Sequence, residues 1–509
     1  MPALKKSNLS TAAKVFVVCA IALLYCPFFN IMLIGLGYAG DTMIQMRIGL
    51  DMIASKGLIL DDLYSWHKGL NWYAHEEAWY LFVGSAYKIG GIAGVIGLTA
   101  LFNYSMAGII FRINLKKVHP YVMLLTAAAG RVLSFPNYNA RPHLPSLMIF
   151  LVFMFVMLSD EITDIKKCIV FAVSSMLLGW FHGGMIPLLF VVFLVFIVIE
   201  LLVREYKRAG KYLIGMCAGA LTSLLNPLGI GVWTYAFIQS RGTEVWKYNM
   251  EWQPKTFTIL EIVLILIVLI GFILDERLYK FDKRVVAKLC LLCMFIIIST
   301  RYGRFMNFTG MAVVMFGGEE LQVLLVWLND NLFKIERSKL EIHDISYHIL
   351  SVFCAGFMLF TTVNSWINYF PTNTVSDIAG IAAYDENVID ILHEKNYERI
   401  YNSFNSGTWL AFHGIPVHID NRTDLYMGEF SGEDYIRGQM LITDIDVMDE
   451  FVDKYDADAL VLDLEAGTTD EWFADDIYAS DRYTVIYDNY VTSTYDPDYT
   501  YRWMIVECN

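Results

Sequence analysis

Apolar runs of roughly 15–24 residues recur through the first part of this 509-residue chain, near the ~20 that a helix needs to cross a bilayer. They lie at about 14–36, 91–113, 118–135, 143–158, 167–182, 184–203, 211–226, 257–275, 285–300, 304–326 and 347–368. The loops Arg112–Lys117, Lys166–Lys167, Arg204–Lys211, Arg277–Lys288 and Lys334–Lys339 are basic, and Lys5 and Lys6 precede the first run. Positive charge marks the cytoplasmic side. With about 11 spans all of these fall inside, and the C-terminal part falls outside. The same rule keeps Asp41–Gly90 outside, so Tyr80–Ile89 is expected as a juxtamembrane helix that does not cross. The first run has no cleavage-site pattern after it and is read as a retained anchor.

Beyond Pro371 the period changes. Arg399–Tyr401, Pro416–Asp420, Ala459–Leu464, Thr484–Tyr487 and Arg502–Glu507 read as strands; Gly407–Phe412 and Val447–Tyr455 read as helices. The expected fold class is mainly α. It is a polytopic transmembrane helix bundle, residues 1–369 with outer loop 41–90, followed by a small C-terminal α/β soluble domain, residues 370–509. The protein is expected in the cell (plasma) membrane as a multi-pass chain, with its N-terminus cytoplasmic and its tail extracytoplasmic.

Composition sharpens the division. The chain is 56% hydrophobic and 18% charged, against about 25% charged in soluble domains, and its mean hydropathy is +0.46. From Pro371 to Asn509 there are 29 Asp and Glu against 7 Lys and Arg, a net of −22. The rest holds 23 acidic and 31 basic residues, a net of +8. An acidic exterior argues against a nucleic-acid partner. Seven of eight cysteines lie in or beside spans, and only Cys508 is in the tail, so the tail has no internal disulfide. Cys290 and Cys293 form a CxxC inside an apolar helix, where packing accounts for them.

The centres of the spans are nearly free of ionisable residues, as the cost of burying charge in lipid requires. An ion-coupled transporter breaks that background with buried carboxylates and interrupted helices. Here the ionisable residues gather at the outer ends instead: Asp41, Arg131, Arg141, His143, His182, Arg301 and Arg304. Arginines on the outer side run against the charge rule. Either they snorkel to headgroups or pair with the acidic tail, or they hold an anion, and a guanidinium grips phosphate in a bidentate fork. Asp41 opens an expected amphipathic helix, about Met43–Ser55. It is either an N-cap or a general base that takes the proton of an attacking hydroxyl or amide. The outer segment also carries Asp61, Asp62, Tyr64, Trp66, His67, Trp72, His75, Glu76 and Glu77, a mixture suited to sugar binding or to an interfacial belt. Glu76 or Glu77 could hold a metal or a proton, or cap the helix that follows. No cofactor is called for, and a divalent metal is compatible with these carboxylates without being required by any spacing. The segment 226–253, with Trp233, Tyr235, Arg241, Trp246, Lys247, Tyr248 and Trp252, reads as interfacial. In the tail, Asp420, Arg422 and Asp424 either reach back to the membrane site or form an Asp–Arg pair that organises their loop.

This arrangement resembles the GT-C superfamily of membrane glycosyltransferases, and more closely a mostly uncharacterised bacterial branch of it. The pieces that carry the resemblance are Asp41-Thr42, Tyr64-Ser65 with Trp72 and His75-Glu76, and Ala140-Arg141-Pro142-His143. With them go Trp180 and His182-Gly183-Gly184, Leu225-Asn226-Pro227, Arg301 with Arg304, and Ile419-Asp420-Asn421-Arg422 with Asp424-Leu425-Tyr426. The resemblance implies transfer of a sugar from a polyprenyl-phosphate or pyrophosphate donor to an acceptor glycan, lipid or protein. Membrane lipid would be the other partner. Asp41 would be the base, with Arg141, His143, His182, Arg301, Arg304, His75, Glu76 and Arg422 as substrate contacts. Relatives commonly carry His four residues after the Asp; this chain has Gln45, which cannot titrate. A lipid-carrier transporter and a non-catalytic envelope assembly protein are the alternatives.

Overall fold

A computed structural model describes residues 10–27, 40–114, 117–134, 140–240, 252–334, 344–369, 383–468, 470–493 and 500–509. The helices in chain order are α1 (Thr11–Leu24), α2 (Asp41–Ser55), α3 (Glu77–Asn114), α4 (Pro120–Ser134), α5 (His143–Leu158), α6 (Asp164–Phe181), α7 (Ile186–Leu202), α8 (Tyr206–Thr222), α9 (Gly231–Ser240), α10 (Ile259–Leu274), α11 (Glu276–Tyr279), α12 (Lys283–Arg301), α13 (Met306–Leu328) and α14 (Asp344–Tyr369). The tail adds α15 (Glu386–Lys395), α16 (Phe404–Phe412), α17 (Gly428–Ser431), α18 (Tyr435–Met440), α19 (Ile445–Tyr455) and α20 (Asp470–Ala479). It also holds strands β1 (Ile400–Asn402), β2 (Ala459–Glu465), β3 (Tyr483–Thr492) and β4 (Thr500–Cys508). Among the described residues four helical stretches are long and apolar enough to cross a membrane: Glu77–Asn114, Gly183–Leu202, Gly303–Phe333 and Asp344–Ile367. The other apolar segments form shorter or more polar helices. Positions 28–36 of the first run, and Arg241, Trp246, Lys247 and Tyr248, lie outside the described residues.

The chain divides into two compact units. The first comprises Met1–Leu33, Thr99–Ala236 and Trp246–Ser365; the second comprises Ile34–Leu98, Phe237–Val245 and Trp366–Asn509. The outer loop therefore folds with the tail rather than with the helix bundle.

In the first unit small residues let helices close to backbone contact, since lipid offers no hydrophobic drive between apolar helices. A Cβ on Gly130 of α4 would run into Val314 and the Gly310 carbonyl of α13. One on Gly310 would meet Ser134 and the Gly130 carbonyl. Gly215 and Gly219 of α8 do the same against Cys168 and Phe171 of α6. One end of the unit is ionic. Asp164 meets Arg208 and Lys211 at 3.1 Å, Glu200 meets Lys283 at 2.7 Å, and Glu319 meets Arg277 at 3.1 Å and Lys288 at 3.2 Å. The cations among them, Arg208, Lys211, Arg277, Lys283 and Lys288, come from the basic loops read in the sequence. At the other end the α6–α7 and α12–α13 reversals share one design, a 3₁₀ turn that begins with glycine, Gly183–Met185 and Gly303–Phe305.

In the second unit α2 and the first part of α3 cross at Gly49 and Gly84. A Cβ on Gly49 would strike the Tyr80 carbonyl, and one on Gly84 would strike the Gly49 backbone. α3 breaks at Gly90 and Gly91, where Gly91 has φ 57°. That is the border the sequence placed between a juxtamembrane helix and the second apolar run. The tail holds a four-stranded sheet of order β1-β2-β4-β3, parallel only between β1 and β2. Its core is built from Leu460, Leu462, Met504, Val506, Met448, Phe451, Ala474 and Ile477, with Trp66 of the outer loop packed against it. The expected strand Pro416–Asp420 is not in this sheet. Instead the N–H of Val417 donates to Tyr64 O at 3.0 Å, and Val417 O accepts from Trp66 N–H at 3.1 Å, an isolated parallel bridge at Ser65. The outer loop thus takes the partner positions that a neighbouring strand would fill.

Candidate active site

Asp41, His75, Glu76 and Arg422 lie in the second unit; Arg141, His143, His182, Arg301 and Arg304 lie in the first. Asp41 is the first residue of α2. Gly40 occupies the cap position, so Asp41 is not the N-cap, and no side-chain cap bond is made there. A carboxylate in the first turn is still favoured by the helix dipole. Gly40 has φ 81°, in the left-handed region open to glycine.

One turn after Asp41 stands Gln45, on the same helix face. Its Oε1 accepts from the Trp79 indole at 2.9 Å, and its Nε2 donates to Glu76 Oε2 at 3.0 Å. Because an indole can only donate, this pair fixes which end of the amide is oxygen. The other Glu76 oxygen lies 3.5 Å from His75 Nε2, and His75 Nδ1 bonds Tyr73 O at 2.7 Å. Burial works against a charge on His75, but Glu76, helped by Asp424, outweighs it and lifts the imidazole to about 9. Burial, reinforced by Glu76, in turn raises the Asp424 carboxyl, against the pull of His75 and Arg422. Gln45 therefore ties α2 to Glu76 and Trp79 through both ends of its amide. Glu77 is buried, and both its carboxylate oxygens lack a hydrogen-bond partner among the described residues.

Arg422 is buried at the centre of a second cluster. Its Nε and Nη2 donate to both Asp420 oxygens, Nη2 at 2.6 Å, and Nη2 also reaches Tyr426 at 3.2 Å. Nη1 lies 2.7 Å from Asp62 of the outer loop, an ion pair without hydrogen-bond alignment. The Tyr64 and Trp72 rings face the guanidinium, each 5.1 Å away. Burial opposes the charge, and Asp420, Tyr426 and Asp62 overcome it, holding Arg422 protonated well above the usual range. Its donors are largely used within the cluster, so Arg422 joins the outer loop to the tail.

A histidine pair was not foreseen. His67 Nε2 and His418 Nδ1 are 3.0 Å apart, surrounded by Trp66, Tyr435, Phe451 and Tyr455. Burial lowers both, His67 to about 4 and His418 well below the usual value. The run His418-Ile419-Asp420-Asn421-Arg422 carried a signal in its density of polar groups, but the partners lie more than 300 residues away.

In the first unit Ser146, one turn into α5 after His143, lies 2.9 Å from His182 Nδ1 and donates its proton to Pro142 O at 2.9 Å. The start of α5 and the α6–α7 turn are thereby joined. Trp180 donates to Leu225 O at 2.6 Å, and Asn226 closes its own turn through Leu228 N–H at 2.9 Å. Arg301 and Arg304 share the α12–α13 reversal. Arg304 lies 4.4 Å over the Trp252 ring, and neither arginine pairs with a carboxylate among the described residues. Arg141 and His143 stand just before and at the start of α5. No group of three or more His, Cys, Asp or Glu among the described residues is arranged to hold a metal ion.

No protein-family model matches the chain, and no curated protein matches it. Solved structures do. Two crystal structures of the oligosaccharyltransferase of Archaeoglobus fulgidus, one in the apo form and one tethered by a disulfide to an acceptor peptide containing the NVT sequon, superpose with TM-scores of 0.57 and 0.55. In both the identity is 12%, and the match covers 96% of this chain and 74% of the other. At that identity the likeness is one of fold alone.

Proposed function

We propose that the chain is a membrane glycosyltransferase of GT-C type. It moves a sugar from a polyprenyl-phosphate or pyrophosphate donor to an acceptor presented outside the cytoplasm. The observation that carries this reading is the fold match over 96% of the chain, together with Asp41 at the head of a rigidly packed helix. Asp41 takes the proton from the acceptor hydroxyl or amide as that atom attacks the anomeric carbon. The bond from the anomeric carbon to the phosphate oxygen breaks, and the sugar inverts. Negative charge gathers on the departing phosphate, and Arg141, Arg301 and Arg304 are assigned to neutralise it. His143 and His182 are assigned to the donor. His75 and Glu76 orient the Asp41 helix through Gln45. Arg422 acts through position, by holding the outer loop on the tail.

The test is transfer of radiolabelled sugar from a panel of polyprenyl-phosphate donors, using purified protein in lipid. Asp41→Asn should lower the rate by about 10²–10⁴ while the protein stays folded. Wild type that neither binds nor turns over any donor would move the reading to a non-catalytic assembly protein.

A further inference from the structure

The run Val417–Arg422 is held along its whole length. Val417 pairs with the outer loop, His418 N–H donates to Asn402 Oδ1 at 2.7 Å, and Ile419 O accepts from Asn402 Nδ2 at 2.9 Å. Asp420 is taken up by Arg422 and Tyr426, and Asn421 N–H donates to Thr408 Oγ1 at 3.1 Å. Arg422 Nη1 has its ion pair with Asp62, whereas the side-chain carbonyl of Asn421 has no such partner among the described residues. The Asn421 amide lies against Gly40, where a Cβ could not fit, and its Oδ1 is buried. A buried carbonyl without a donor calls for an explanation. This one belongs to the amide that packs on Gly40, the residue before Asp41, with Nδ2 turned to the glycine and Oδ1 on the far side. A carbonyl oxygen repels a phosphate but welcomes an N–H or O–H.

We propose that Asn421 contacts the acceptor: its Oδ1 accepts a hydrogen bond from the hydroxyl or amide that receives the sugar and holds that group toward Asp41. The inference rests on the glycosyl-transfer reading and assigns part of the acceptor site to the tail.

The experiment uses the full chain in lipid nanodiscs, a polyprenyl-phosphate-linked radiolabelled hexose as donor, and two acceptor probes. One is an alkyl glycoside with hydroxyls; the other is a short peptide with an asparagine amide. Asn421→Ala should lower kcat/KM for the acceptor about tenfold or more, with the donor KM unchanged, and Asn421→Ser should recover part of the loss. Asn421→Asp keeps the shape and places a second carboxylate beside Asp41. A like charge raises a carboxyl pKa, so the acidic limb of the rate profile should move to higher pH. An unchanged acceptor KM together with an unmoved limb, in a background where wild type is active, overturns the inference. A defect confined to the donor KM overturns it as well. Wild type that binds donor but transfers to neither probe overturns the glycosyl-transfer reading and this inference with it, and that failure is read on wild type alone.

Discussion

Three histidines of the second unit, His75 and His418 buried and His67 partly so, respond to pH in opposite senses. His67 and His418 are held below their unfolded value, so the unfolded chain binds more protons between pH 6.5 and about 4. Stability from this pair is full above pH 6.5 and falls as the pH drops through that window. His75 is held above its unfolded value, at about 9. Its contribution is full below pH 6.5 and is lost as the pH rises toward 9. The trypsin resistance of the second unit should therefore peak near neutrality. His67→Phe should flatten the acid side of that profile and His75→Gln the alkaline side; a profile unchanged by either would contradict these assignments. Arg422→Ala leaves Asp420 and Asp62 buried without their cation and should cost about 3–5 kcal/mol, measured by urea titration of tryptophan fluorescence. Arg422→Lys should not restore it, because the bidentate grip on Asp420 requires the planar fork. Asp41, His75 and Glu76 were legible in the sequence as ionisable residues outside the apolar runs. Asn421 was legible only as part of a polar run, and the pairing of His418 with His67 was not, because those partners are 351 positions apart.

At the scale of elements, glycine spacing explains how the helices approach. Gly130 and Gly310 meet backbone to backbone, whereas Gly108 on α3 has nothing near its missing side chain. Gly310→Val should force α4 and α13 apart and lower the midpoint of thermal unfolding in detergent. Gly108→Ala should be neutral or stabilising by up to about 1 kcal/mol, since alanine is the better helix former. The apolar runs fall on helices among the described residues, and the border near Gly90–Gly91 was read from the charge of the flanking loops rather than from the glycines themselves. The strand at Pro416–Asp420 was misplaced for a physical reason. Its apolar–polar alternation reads as a half-buried strand, but Val417, His418, Ile419 and Asp420 are all buried, and alternation does not say which chain segment completes the hydrogen bonds. In this case it is the outer loop at Tyr64–Trp66.

At the scale of the molecule, the division into units cuts across the sequence. Composition marks a border near Pro371, and the acid excess of the tail is real, but the compact unit also includes Ile34–Leu98. Residues 370–509 expressed alone would lack Asp62 opposite Arg422, Trp66 over the sheet core and Tyr64 beside Val417. That fragment should bind an apolar dye and lack near-ultraviolet circular dichroism, and adding residues 41–90 through a linker should restore it. A fragment that folds without the loop would refute this. The same arrangement bears on how the protein is made. Arg47 and the Phe412 carbonyl it binds are 365 positions apart, and Trp66 is 334 from Ile400. At a synthesis rate of about 5–20 residues per second, the loop leaves the ribosome roughly 20–70 s before its partner segments exist. During that interval its tryptophans and carboxylates are unmatched on the nascent chain, so chaperones and proteases would meet the helix that carries Asp41 well before the tail can secure it.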